Sequence, residues 1–120
     1  MNSVPVVLRY RDGHTERVSS AQTDIEQQLV RVTRDGEASS EVSFASLKAL
    51  FFPRLDPEKP LEEAAGSTIA VEFADGEVIR GIAHYNPESS GFTLFPQDRS
   101  KNERIFVITS AIVSIEVEKL

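Results

Sequence analysis

Apolar and polar residues alternate along two stretches of the chain, Val6–Val18 and Ile69–Gly81, that align at a spacing of 63 residues. A period of two sends successive side chains to opposite faces, so each stretch predicts strand rather than helix. Each is interrupted by Asp-Gly, at Asp12-Gly13 and Asp75-Gly76. That dipeptide between alternating runs predicts a β-hairpin, because glycine supplies the positive φ the turn needs. The correspondence continues with Leu29–Thr33 against Phe92–Pro96 as third strands. Val42–Phe51 then matches Phe106–Ile115 at a spacing of 64, each run broken into two strands by a short turn near Ser46 and Ser110. The chain therefore reads as all-β and as two similar halves.

Between the halves, Pro53, Pro57 and Pro60 exclude a regular sheet, while Pro60 followed by Glu62, Glu63, Ala64, Ala65 and a stop at Gly66 suits a brief helix. The expected organisation is a first unit over 1–55, a linker over 56–66 and a second unit over 67–120. Five short strands per unit, with a tight first turn and a terminal strand–turn–strand, resemble the Sm-like and SH3-like small barrels. The resemblance is carried by Val71–Gly81, Asn86-Pro87, Gly91–Pro96 and Asn102–Val107, which look like an uncharacterised bacterial small-barrel module. It implies two tandem five-stranded barrels joined by the proline-rich linker, and no particular activity.

Composition narrows the function by exclusion. With 40% hydrophobic and 27% charged residues the chain has the balance of a folded domain. No apolar stretch approaches the ~18 residues of a membrane span, and the N-terminus lacks a secretory pattern, so a cytoplasmic location is expected. There is no cysteine, hence no disulfide or thiolate site. The net charge is −6, with 7 basic against 8 acidic residues in 1–56 and 6 against 11 in 57–120. Such a field disfavours nucleic acid and anionic membrane as partners.

Specific motifs point the same way. An RNA-binding Sm-like protein would want Arg-Gly in the last turn, where this chain has Thr109-Ser110-Ala111 and Ala45-Ser46-Leu47. A PilZ-type dinucleotide receptor would want Arg-x-x-x-Arg, whereas Arg31 and Arg34 are three apart and Arg99 and Arg104 five. Asn86–Gly91 places Glu88 where that motif has serine. His14 and His84 fall at non-equivalent points of the repeat, and no nucleophile elbow, phosphate loop or metal-ligand spacing occurs. No cofactor and no enzymatic activity are expected.

Two groups of residues remain as site candidates. Arg17 and Arg80 recur after the hairpin turns, and Arg99 and Arg104 flank a charge-mixed loop; these four are the candidate ligand-facing residues. Leu50 and Phe52, carried through the 64-residue spacing, correspond to the polar Ser114 and Glu116, so two large apolar side chains stand where an outward face is expected. Together with Leu55 they form a candidate partner or interdomain surface. The expected function is a non-enzymatic adaptor or regulatory module that binds another protein in a bacterial signalling or surface-organisation pathway, with self-association left open. The alternative is a small-molecule or nucleotide sensor in a PilZ-like role.

Overall fold

The computed structural model describes residues 5–61 and 63–118. Its strands in chain order are β1 Val6–Tyr10, β2 Thr15–Val18, β3 Ser20–Asp24, β4 Leu29–Thr33, β5 Ser40–Ser43, β6 Leu47–Pro53, β7 Ser67–Phe73, β8 Val78–Ala83, β9 Gly91–Pro96, β10 Asn102–Ile108 and β11 Ile112–Val117. Short 3₁₀ turns over Phe44–Ser46 and Thr109–Ala111 precede β6 and β11. Both Asp-Gly hairpins form, and they do so with the same hydrogen bonds. Gly13 N–H donates to the Tyr10 carbonyl at 3.1 Å and Gly76 N–H to the Phe73 carbonyl at 2.9 Å. The glycines hold φ of +100° and +90°, where a side chain would be strained.

The strands form an eight-stranded sheet, ordered β11-β7-β8-β9-β10-β6-β1-β2, and a three-stranded sheet, ordered β3-β4-β5. This corrects the expectation of two tandem five-stranded barrels: among the described residues no barrel closes. Two features account for it. The second strand of the first half breaks at Ser19, whose N–H and Oγ both donate to the Thr33 carbonyl, at 2.9 and 2.6 Å. β2 thus stays beside β1 while β3 passes to the small sheet. Meanwhile β6, the last strand of the first half, pairs with β10 of the second, Phe51 opposite Ile105 and Leu50 opposite Phe106. A single ladder therefore runs through both halves. The brief linker helix is also corrected. Among the described residues of 54–66 there is no helix, only a turn in which Lys59 N–H donates to the Asp56 carbonyl at 3.2 Å. Only five residues separate Pro60 from Gly66, whose φ of +124° ends any helix there, and so short a stretch does not repay the cost of nucleating one.

The repeat spacing is corrected as well. The 3₁₀ turns begin at Phe44 and Thr109, 65 residues apart, so Leu50 corresponds to Ile115 and Phe52 to Val117. The apolar-for-polar contrast with Ser114 and Glu116 disappears.

One cluster of buried residues extends across both halves, from Val6 and Leu8 through Leu47–Phe51 to Ile105–Ile108. The Phe44 and Phe106 rings meet at 5.9 Å. Lys48, its side chain only 8% exposed, reaches the β7–β8 turn, pairing with Asp75 at 2.7 Å and Glu77 at 2.5 Å. Its ammonium lies 4.7 Å from the Phe73 ring centre. Arg9 adds a 3.1 Å pair to Glu77. Arg11 ties the two 3₁₀ turns together by donating to the Phe44 carbonyl at 3.0 Å and to Ser110 Oγ at 2.6 Å. No helix among the described residues is long and apolar enough to cross a membrane.

Candidate functional site

The two sheets leave an open groove of about 650 Å³ between them. Its floor comes from the large sheet. Arg104 on β10 stands directly across from Phe52 on β6, and Phe106, two residues on, faces Thr93 on β9. Alternation places Arg104, Phe106 and Phe52 on the same face. The Arg104 guanidinium carbon lies over the Phe52 ring, 4.2 Å from its centre, a cation–π contact that holds the side chain in the groove. Its nearest carboxylate is that of Glu103, at 3.5 Å.

The opposite wall is β3 with the turn that follows it, Ala21–Glu26. Among the described residues β3 pairs only with β4, so its other edge carries ladder groups without a strand partner. Arg31, on β4, reaches this wall and pairs at 3.6 Å with both Asp24 and Glu41. At one end Ser90 Oγ donates to the Ile25 carbonyl at 2.9 Å, joining the wall to the large sheet. Through Thr93 and Arg104 the groove continues into a second hollow of about 450 Å³ lined by Ala65, His84, Phe92 and Phe95. Arg99 lies over Phe95, 4.9 Å from its ring centre, and donates from Nε to the Glu103 carbonyl at 2.9 Å.

Of the residues singled out from the sequence, Phe52 and Arg104 are brought together here, with Arg99 bordering the far hollow through Phe95. Leu50 is fully buried on β6. Leu55 is 57% exposed, away from the groove beside Arg54, Lys59 and Glu103. Arg17 and Arg80 are exposed on β2 and β8, five strands apart in the sheet, or about 24 Å at the usual spacing. They do not converge on one ligand, and among the described residues neither forms an ion pair. The sequence reading missed Phe106, Thr93 and the β3 wall. Phe106 was legible only as a strand residue, and the wall depends on the break at Ser19.

The histidines are far apart in role. His14 stacks on Tyr10 with ring centres 4.0 Å apart and contacts Asp12, whereas His84 is exposed at the groove's end. The His14 contacts hold the Asp12 carboxyl below its usual range. No group of three or more His, Cys, Asp or Glu side chains suited to a metal ion occurs among the described residues.

Fold and site together define an all-β protein of two packed sheets with an amphipathic groove between them. The model of a family of unknown function, DUF6982, matches residues 3–119, and the chain belongs to that family. No curated protein and no solved structure matches it.

Proposed function

We propose that the protein is a non-enzymatic interaction module that receives an extended segment of another protein in the groove. The observation that carries this reading is the unpartnered edge of β3 facing an aromatic floor. A strand laid against such an edge gains main-chain hydrogen bonds, and alternate side chains find the floor. Apolar side chains would rest on Phe106 and the rim of Phe52, and an acidic one would meet Arg104 where it lies over the Phe52 ring. The net charge of −6 supports a peptide over nucleic acid as the occupant.

A small-molecule or nucleotide ligand is the second reading, favoured by the Phe52–Arg104 contact, which offers an aromatic ring and a guanidinium to one planar anion. Panning a random peptide library against the protein, followed by calorimetry of the selected peptides, tests the first. Selected sequences should alternate apolar with acidic residues. Phe52→Ala and Arg104→Ala should each weaken binding about tenfold or more, ~1.4 kcal/mol, while Arg17→Ala should leave it unchanged. Binding insensitive to Phe52 and Arg104 rejects the groove. Thermal stabilisation by nucleotides without peptide binding transfers support to the second reading.

A further inference from the structure

The large sheet ends at β11, and this edge has the properties of a self-complementary strand. Among the described residues β11 pairs only with β7. The Glu118 N–H donates to the Thr68 carbonyl at 2.9 Å, and in an antiparallel ladder the inward-bonding residues alternate. Glu116 and Glu118 therefore bond toward β7, while Ile115 and Val117 turn their N–H and C=O groups outward. The side chains follow the other alternation. Ile115 and Val117 stand opposite the buried Val71 and Ile69, on the sheet's apolar face, yet at the rim Val117 remains 45% exposed and Val113 60%. Val113 sits at the register shift between Ile112 and Ser114.

We propose that a second copy of the chain pairs antiparallel along β11, about a two-fold axis through Ile115. Register selects this centre. With Ile115 opposite its own copy, outward-bonding residues face each other, Val113 lies against Val117 twice, and Glu116 falls opposite Ser114. An axis at Glu116 would set that glutamate against itself, and one at Val117 would set Glu116 against Glu118, both like-charge pairs that destabilise a ladder. The apolar rim of each copy then continues into the other. A closed, two-fold interface is also the commonest form of self-association.

The chain contains no cysteine, so introduced thiols report the register without interference. Sedimentation equilibrium of the unmodified protein should give a dimer as concentration rises. Val113→Cys protein mixed with Val117→Cys protein should oxidise to a disulfide-linked heterodimer, while each variant alone should cross-link far less. Both sites are exposed, so the fold is retained, and far-ultraviolet circular dichroism checks this. A protein monomeric into the high micromolar range overturns the proposal and leaves the register shift at Val113 and the two glutamates as devices that blunt the edge. Species larger than dimers, or cross-links that form equally within each single variant, overturn it too.

Discussion

Raising the pH through the titration of Tyr10 probes the join between the two sheets. The Tyr10 hydroxyl, at the end of β1, donates to Glu16 Oε1 at 2.9 Å. Glu16 is gripped by the Arg34 fork at 2.6 and 2.9 Å, and Arg34 also donates to Ser40 Oγ at 2.6 Å on β5. Burial, and then the hydrogen bond to Glu16 and its charge, push the Tyr10 pKa from 10.0 up to about 12, with Arg34 opposing. Because the folded value is raised, the stabilisation is fully present below pH 10 and is lost as pH rises toward 12. Two units correspond to ~2.7 kcal/mol at most; partial solvent contact at the sheet rim reduces this to about 1–2 kcal/mol. The chain has two tyrosines and no tryptophan, so tyrosinate absorbance in a Tyr85→Phe variant reads Tyr10 alone. In that background Glu16→Gln should move the titration downward, though not fully to 10 since burial is the larger cause, and Arg34→Gln should move it upward. A titration near 10 while circular dichroism still reports a folded protein, or a downward shift with Arg34→Gln, would refute the network.

Leu50→Ala, at a fully buried site, should cost about 2–5 kcal/mol in denaturant unfolding, and Phe52→Ala, half-buried under Arg104, about 1–2 kcal/mol. Equal losses would mean that Phe52 is core rather than groove floor. Gly81→Ala should cost about 1–3 kcal/mol, because a β-carbon there would lie 2.2 Å from the Phe95 carbonyl oxygen and 2.7 Å from Leu94 Cδ2, where β8 pairs antiparallel with β9, Gly81 opposite Pro96. A loss within the surface range, about 0.5 kcal/mol, would show that the two strands can part. Lys48→Met keeps the packing on Phe73 but removes the ammonium that, with the Glu77 N–H, holds the Asp75 carboxyl below its usual range. The native protein should lose stability as pH falls below the ordinary carboxylate value of 3.8, and the variant should show a shallower acid limb in pH-dependent unfolding.

Local pattern carried the strands and turns because hairpin formation depends on residues close in the chain. The Asp-Gly turns and the breaks before β6 and β11 fall where the alternation places them, near Gly13, Gly76, Ser46 and Ser110. Which strands meet was not legible in the same way. The pairing of β6 with β10 joins residues about fifty apart and depends on how both halves bend, and the groove inherits that dependence through Arg104 opposite Phe52. The kink at Ser19 sends β3 into the small sheet and creates the groove's wall; the Ser19-Ser20 pair reads as a turn former in sequence, but nothing local says which sheet the following strand joins.

One signal of the pairing is nevertheless present in the sequence of β6. Leu47-Lys48-Ala49-Leu50-Phe51-Phe52 is an almost unbroken apolar run, whereas an alternating edge strand would carry polar residues at every second position. A strand whose neighbours on both sides are strands, and whose two faces are both packed, shows such a run instead of alternation. β6 occupies that position, between β1 and β10, and all of Leu47–Phe51 is buried. The lysine inside the run marks where the second half arrives, since burying its charge requires the carboxylates of Asp75 and Glu77. A continuous apolar strand interrupted by one long cation thus predicts a central strand and an acidic turn packed against it. The Asp75-Gly76-Glu77 hairpin tip is a strong local candidate for that turn.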